Sequence, residues 1–508
     1  MWFHKKGFWN GWTRLKFSLS KPVKIPKPGA SSEKLDVVSL SSLMPDIPIP
    51  NIWMADRIPR DERHIRWRAK KLIFGFEQWV MERMPPMKPG LPPIDDDPHK
   101  ALRKAFNPSY EKRFPRPEVP EEFLGEPDLG KLAVASPYYC YLERTREGEF
   151  QWDFRRLGRY EHHKGLRSLE VRVLFHPDAR RERLHAVRID SADLGTSFPG
   201  DANWALAKKL ALCAATTHMS LVRHLNWVHL TGANALAIAT RNCLPTDHPV
   251  LRLVWPHMYG TQSSNVFTII GQLVPKGDYA SIFSFTHRGL CQLLEETHDD
   301  FDLALIDPKR DARRRGLLND HSHLNLPVLK NRQELFRVIQ AHASRYLRLY
   351  YKSDEKLGLD EDFRCWVNEL DRLIPRGTLE LLEEPYSLEG AARLIAALIY
   401  LETVEHESMG TGLWNYQAWT HVQPVRIYRN GQREPLDVYQ RLINATFILH
   451  VSRTPLMSDF ADLSLDMKGG DAMRVFRKKL ETLQRRTQRL DPEPWRIAPE
   501  DLEANINA

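Results

Sequence analysis

The chain has 508 residues, of which 42% are hydrophobic and 27% are charged, a composition typical of a folded globular protein and not of a disordered or fibrous one. Its five cysteines are widely spaced and form no CxxC pair, so they indicate neither a disulfide framework nor a thiolate zinc site, and they favour a reducing compartment. No apolar run approaches the ~20 residues needed to cross a bilayer, and the N-terminus lacks the apolar core of a secretory signal. We therefore expect a cytoplasmic protein.

The N-terminal arm is basic and aromatic. Residues 1–30 hold seven Lys or Arg and no Asp or Glu, against a net charge of +8 for the whole chain. Aromatic rings follow the same arm, with Phe8 and Trp12 at helical spacing and Trp2 and Trp9 beside them. Rings and lysines on a short amphipathic segment predict peripheral contact with an anionic membrane surface, and docking onto the protein's own core is the alternative. Because the rest of the chain is near neutral and carries no recognition motif, a nucleic-acid partner is not expected.

The chain divides into three predicted parts. Residues 1–50 form the arm and a proline-rich linker, residues 51–127 form an extension that wraps the main domain, and residues 128–508 form that domain. Within the extension, residues 56–84 predict one helix.

The main domain begins with short strand-like stretches and continues as helices. The strand-like stretches are LAVASPYYCYLER, FQWDF and LRSLEVRVLFHP. Apolar periodicity predicts helices over 204–243, 331–352, 389–408, 435–450 and 470–488. We predict a mainly α fold, with a single large helical domain and a small β region.

The helix over 204–243 is apolar around its circumference and should be buried, yet it contains His224 and His229. Positions five apart diverge by about 140° on an α-helix, whereas a π-bulge brings them onto one face, and such bulges occur mostly at functional sites. Two core histidines that donate to backbone carbonyls are the alternative. A second buried helix, AARLIAALIYLETVEHESMG, adds His406. Three imidazoles on two core helices suit a divalent transition metal, and their spacing does not choose between iron, zinc and manganese.

Several blocks resemble the lipoxygenase family. HLNWVHLTGANALAIATRNCLPTDHPVLRLVWPH is similar to the family's iron-binding helix and the segment after it, with two histidines separated by four residues. PGDANWALAKK, SRYLRLYYKSDE, FRCWVNEL, VEHESMGTGLWNYQAW and PEDLEANINA are similar to further blocks in the same order. The resemblance covers about residues 128–508, and it is to a short, bacterial-type form without the family's N-terminal β-sandwich.

The resemblance implies a mononuclear non-haem iron enzyme of mostly helical fold. It implies that His224, His229 and His406 are catalytic iron ligands and that the terminal carboxylate of Ala508 is a further ligand, with manganese as the alternative metal. It also implies that hydrogen is removed from a methylene between two double bonds of a polyunsaturated lipid, after which O₂ adds and a hydroperoxide forms. We expect a monomer.

The sequence departs from the family at five positions. Gly410 stands at the fourth-ligand position, four residues after the third histidine, and it has no side chain to coordinate with. Ala508 replaces the usual terminal isoleucine, and Ser220 replaces a residue that is often Gln. In the predicted substrate pocket, Thr268 falls where a small residue tunes the site of oxygenation, and Gln272 falls near an apolar clamp. Water or a glutamate from the third-histidine helix, Glu402 or Glu407, could fill the position that Gly410 leaves.

These departures leave three hypotheses open. The leading one is a lipoxygenase-like iron dioxygenase, an oxidoreductase that incorporates molecular oxygen into a polyunsaturated fatty acyl chain. The second is a divergent iron oxygenase or hydroperoxide-processing enzyme that acts on an unusual apolar metabolite. The third is a catalytically silent lipid- or membrane-binding protein on a lipoxygenase scaffold. Catalysis by a serine, P-loop or dinucleotide motif is not indicated, since no such fingerprint is present.

Overall fold

The computed structural model describes twelve segments of the chain. They are residues 25–29, 33–63, 90–94, 97–105, 119, 124–178, 183–318, 324–382, 386–411, 417–448, 454–490 and 496–506. The basic aromatic arm up to residue 24, most of the helix predicted over 56–84, and the last two residues lie outside these segments.

The described residues before residue 128 form short elements that pack against the main domain. Strand β1 (Val37–Ser39) pairs antiparallel with β2 (Trp53–Ala55), and helix α1 (Leu40–Leu43) follows β1 directly. The Ser39 side chain caps α1 by accepting a hydrogen bond from the Ser42 backbone N–H, which satisfies one of the donors that a helix start leaves free. Helices α2 (Pro98–Ala105) and α3 (Leu129–Val134) lead into the main domain.

A five-stranded antiparallel sheet forms the small β region. Its strands occur in sheet order along the chain. They are β3 (Glu143–Arg144), β4 (Phe150–Asp153), β5 (Val171–Pro177), β6 (Leu184–Ser191) and β7 (Gly195–Ser197).

The strand predicted over LAVASPYYCYLER is wrong for most of its length, because α3 and a 3₁₀ helix (Pro137–Tyr141) occupy it. The Ser136 side chain caps that 3₁₀ helix, and Pro137 supplies a backbone angle suited to the first helical position.

Helices make up the rest of the domain. The central helix runs without interruption through α4 (Trp204–His218), π1 (Met219–Ala233) and α5 (Asn234–Cys243). It is followed by α6 (Pro249–Met258), α7 (Thr261–Thr268), π2 (Ile269–Leu273), α8 (Asp278–Ile282), α9 (His287–His298), α10 (Pro308–Arg314), α11 (Pro327–Tyr350), α12 (Asp354–Gly358), α13 (Glu361–Leu373), α14 (Thr378–Leu382), α15 (Leu388–Tyr400), π3 (Leu401–Glu405), α16 (His406–Thr411), α17 (Leu436–Ile448) and α18 (Met467–Thr487). The mainly α prediction is confirmed, and the five predicted helices agree with the structure to within four residues at each end.

The core consists of two apolar clusters that meet along the central helix. One packs the sheet against α4, and the other packs α5 against α11, α13 and α15. π1 and π3 lie especially close, because a Cβ added at Gly232 would stand 2.1 Å from a methyl carbon of Leu401. A larger residue at position 232 would therefore require the Leu401 side chain to move.

Cys243 and Cys365 form a disulfide, so the expectation of unpaired cysteines is wrong for this pair. The two residues are 122 positions apart in sequence, but the packing of α13 on α5 brings their Cα atoms to 5.5 Å. Sequence spacing carries no signal for such a pairing. Cys140, Cys213 and Cys291 are free and buried.

Across the described segments, no helix is both long enough and apolar enough to traverse a bilayer.

Candidate metal centre

The predicted break in α-helical geometry is present at the two central histidines. The central helix adopts π geometry over the fifteen residues of π1, which contains His224 and His229. In a π-helix the hydrogen bonds join residues five apart, so side chains at that spacing share a face. The unusual backbone therefore aims both imidazoles at the same neighbour.

That neighbour is His406, which begins α16 directly after π3. The ring centroids are 4.8 Å apart for His224 and His229, 4.9 Å for His224 and His406, and 5.1 Å for His229 and His406. One ring nitrogen from each histidine falls within 4.8 Å of the other two. The structure thus brings together the three histidines that the sequence singled out.

The three imidazoles are buried and lack the partners that buried polar groups normally have. Nδ1 of His224, Nδ1 of His229 and both ring nitrogens of His406 make no hydrogen bond, and the Nε2 atoms of His224 and His229 face each other at 3.3 Å. Native structures rarely leave so many buried polar atoms unsatisfied. A cation at the centre would accept the converging lone pairs, so the residues present fit a transition metal.

Burial also keeps the rings in the form that binds metals. It lowers the pKa of His229 to about 3, with the nearby His406 adding to the effect. Burial likewise lowers the pKa of His224 well below its usual range, and His229 and His406 contribute. Both rings are therefore neutral at pH 7 and present lone pairs, since a protonated imidazole cannot coordinate.

A helix from outside the predicted ligand set fixes the backbone of the second histidine. Asn265 on α7 is fully buried and donates from Nδ2 to the His229 carbonyl oxygen at 2.8 Å. Sequence reasoning missed this residue. The polar run TQSSN between two apolar stretches is the signal that could have suggested it, because polar side chains that become buried need partners.

The C-terminal tail runs into the same neighbourhood. Ser264 donates to the Ile506 carbonyl at 3.0 Å, Asn505 donates to the Pro256 carbonyl at 3.0 Å, and His257 Nδ1 lies 2.7 Å from the Ala504 carbonyl oxygen. Ser264 directly precedes Asn265, which holds His229, so the tail runs beside the part of α7 that contacts the backbone of π1. Ala508, the predicted carboxylate ligand, lies outside the described residues, two positions beyond the buried Ile506.

Gly410 lies beside the histidine cluster. A Cβ added there would be 3.7 Å from Nε2 of His224, an ordinary contact distance, so a side chain at this position would border the cluster. Ser220 is fully buried, and its hydroxyl has no hydrogen-bond partner.

Two glutamates precede His406 in π3 and behave differently. Glu405 accepts a hydrogen bond from Arg332 on α11 at 2.9 Å, and both side chains are nearly buried. Glu402 is fully buried, and neither carboxyl oxygen has a hydrogen-bond partner. Burial raises the pKa of Glu402 well above its usual range, which favours the protonated, uncharged form. Glu407 lies 3.4 Å from Nδ1 of His406 through a carboxylate oxygen.

The predicted pocket residues lie at the C-terminal end of α7 and in π2. Thr268 ends that helix and is partly exposed, and Gln272 is buried in π2. Among the described residues, neither side chain makes a hydrogen bond or an ion pair with the three histidines, and their role in a substrate pocket stays a prediction. The predicted membrane residues Trp2, Phe8, Trp9 and Trp12 lie outside the described part of the chain.

Comparison with curated proteins finds lipoxygenases. The chain is 28% identical over 247 residues to polyunsaturated fatty acid lipoxygenase ALOX15 of Oryctolagus cuniculus, covering 48% of this chain and 36% of that protein. It is 26% identical over 221 residues to the epidermal-type polyunsaturated fatty acid (12S)/(13S)-lipoxygenase of Rattus norvegicus, covering 42% and 32%. The aligned region thus spans about a third of the length of the curated relatives. No family model matches the chain.

Solved structures give the same fold. A coral 8R-lipoxygenase superposes with a TM-score of 0.73 at 15% identity, over 93% of this chain and 79% of that one. A calcium-dependent 11R-lipoxygenase superposes with the same score and identity over 99% and 81%. A lipoxygenase in complex with arachidonate gives 0.72 over 94% and 80%. The matched region is thus similar in sequence to lipoxygenases, and the chain has the fold of the lipoxygenase catalytic domain.

Proposed function

We propose that this protein is a non-haem iron dioxygenase that inserts O₂ into a polyunsaturated fatty acyl chain and releases a hydroperoxide. The observation that carries the proposal is the buried cluster of His224, His229 and His406, whose ring nitrogens converge and of which four make no hydrogen bond. The names of the matched relatives refer to polyunsaturated fatty acids, and one matched structure holds arachidonate. These names support the same substrate class here.

The three histidines and the terminal carboxylate of Ala508 would hold the metal, with iron preferred and manganese as the alternative. Bound iron would supply the one-electron chemistry by which a methylene between two double bonds loses a hydrogen and the chain becomes reactive toward O₂. The protein's own contribution is to keep His224 and His229 neutral, to fix the backbone of His229 through Asn265, and to keep the site buried. The arm of residues 1–24 would bring the enzyme to a membrane surface that supplies lipid.

Metal analysis combined with an oxygenation assay tests the proposal. Purified full-length protein, reconstituted with iron, is expected to bind one iron per chain and to convert linoleate or arachidonate to products with conjugated-diene absorbance. The matched control is His185→Gln, which changes an exposed histidine on β6 and should leave both readouts intact. Substoichiometric iron and manganese after careful reconstitution would contradict the proposal.

The position of Gly410 beside His224 supports a second candidate function. With no side chain at the fourth-ligand position, the metal would have an altered coordination number, and the enzyme could process a hydroperoxide or an unusual apolar metabolite instead. Full iron occupancy with no diene product from either fatty acid would favour this candidate. Diene formation at full occupancy would favour the first.

A further inference from the structure

A cavity of about 320 Å³ opens at the N-terminal end of α4, away from the histidine cluster. Lys209, which lines it, precedes His224 by 15 residues on one continuous helix, a separation of roughly 20 Å along the axis. The cavity walls are mostly apolar and come from three parts of the chain: Ile94, Pro98, Leu124, Pro127, Trp419 and Val422. Its volume is within the range of small-molecule sites.

Among the described residues, one positive charge of this cavity has no partner. Lys208 is buried, pairs with the Glu126 carboxylate and donates to the Pro127 carbonyl at 3.3 Å. Lys209, its neighbour, is partly buried, and within the described segments its ammonium group has no ion-pair or hydrogen-bond partner. Since Glu126 is already paired with Lys208, the described lining keeps one excess cation. A partly desolvated cation among apolar walls is costly unless an anion accompanies it.

A second polar group faces the same region. His421 lines the cavity beside Trp419, with the two ring centroids 5.9 Å apart in an edge-on arrangement. Burial lowers the pKa of His421, and the positive charges of Lys209 and Arg433 lower it further. The imidazole is therefore neutral at pH 7 and keeps one N–H to donate. Arg433 itself donates to the Pro92 carbonyl at 2.8 Å.

The rim of the cavity is apolar and open to solvent. Ile94 is 59% exposed and Leu124 is 40% exposed, so both present aliphatic surface at the opening. A ligand with an anionic head at Lys209 could run an alkyl chain along these two residues, while the one carboxylate of the described lining, Glu126, is paired with Lys208.

We propose that this cavity is a binding site for an alkyl carboxylate, with the carboxylate at Lys209 and His421 and the chain along the apolar walls. An ammonium group and a neutral imidazole N–H match the two oxygens of a carboxylate, and charge-assisted hydrogen bonds are the stronger kind. The site is separate from the histidine cluster and does not depend on metal.

Calorimetric titration of the full-length protein with decanoate tests this proposal, because a saturated chain cannot be oxygenated. Decanoate is expected to bind, Lys209→Met to weaken binding at least about tenfold, and Lys209→Arg to restore most of it. Lys479→Met, at an exposed lysine on α18, is the matched control and should bind as the wild type does. Decan-1-ol, which has the same chain length without the charge, should bind at least tenfold more weakly than decanoate.

Several outcomes of these titrations would overturn the proposal. Equal binding of decanoate by wild type and Lys209→Met, or equal binding of decanoate and decan-1-ol, would overturn the proposal. Lys209-dependent binding of phosphatidylglycerol vesicles without decanoate binding would also overturn it, because the ligand would then be a lipid headgroup. Decanoate binding that persists in His406→Ala would separate this site from the proposed metal centre, and binding that is lost there would refute their independence.

Discussion

Two buried polar clusters on the central helix follow opposite rules. At α5, Arg241 donates to Glu62 at 2.8 Å and to Asp61 at 3.1 Å, and Glu62 also accepts from the Ser263 backbone N–H at 3.0 Å. At π1, His224 and His229 meet each other and leave their Nδ1 atoms without partners. The charged groups of the first cluster, which we call the matched cluster, pair with one another and hold the N-terminal extension on α5. The imidazoles of the second, the unmatched cluster, have no such partners and require a ligand from outside the polypeptide.

Removal of a histidine should give the largest effect. His406→Ala is expected to abolish oxygenase activity and to weaken iron binding by about 100- to 1,000-fold, because apparent metal binding energies of ~10–16 kcal/mol are shared among a few ligands. Metal content after dialysis against a weak chelator measures the change. Unaltered iron binding in His406→Ala would show that the unmatched cluster is not the metal centre.

The matched cluster should respond in stability and not in metal content. Glu62→Ala leaves Arg241 buried without its closest partner and is expected to lower the free energy of unfolding by about 3–5 kcal/mol, as seen when one partner of a buried pair is removed. Urea denaturation measures it. Glu361→Ala is the control, because Glu361 is 89% exposed and its pair with Arg364 should contribute less than about 1 kcal/mol. Equal effects of the two substitutions would contradict the distinction drawn between the clusters.

Glu402 is a further buried group whose carboxyl oxygens have no hydrogen-bond partner, and burial favours its uncharged form. Its folded-state pKa is raised, so the folded protein holds a proton that the unfolded chain releases above its ordinary pKa near 4.5. Stability is therefore lost as pH rises from about 4.5 toward the folded pKa. Glu402→Gln removes this loss and should stabilise the metal-free protein more at pH 7 than at pH 4. Thermal unfolding at the two pH values checks it, and an equal gain at both would contradict the assignment.

The sequence predicted what depends on local pattern. Apolar periodicity located the long helices, and the five-residue spacing of His224 and His229 predicted the π geometry, because a buried α-helix gives these side chains no common target. Strand propensity failed at LAVASPYYCYLER, where the Ser136 cap and Pro137 determine the local backbone.

Features that arise from tertiary packing could not be predicted. The disulfide joins Cys243 to a residue 122 positions away, and Asn265 reaches the carbonyl of His229 from a helix that follows it by 36 residues. The partner of Glu62 is 179 residues distant. In each of these pairs, the sequence around one residue does not indicate which distant residue it contacts, because that contact follows from the packing of whole helices.

The smallest expected effect is at Gly410, the position beside the histidine cluster that has no side chain. Gly410→Asn places an amide beside Nε2 of His224, and the 3.7 Å spacing at Cβ allows it without a clash. Gly410→Ala is the matched control, because it adds the same Cβ without a ligating atom, with a helix stabilisation of about 0.5–1 kcal/mol that exceeds the gain from asparagine. Iron affinity should rise by up to about tenfold in Gly410→Asn and stay unchanged in Gly410→Ala, while melting temperature should rise in both metal-free variants. Equal iron affinity in the two variants would mean that position 410 lies outside the coordination sphere. A gain confined to the asparagine variant would mean that the histidine cluster accepts a further ligand where this chain has none.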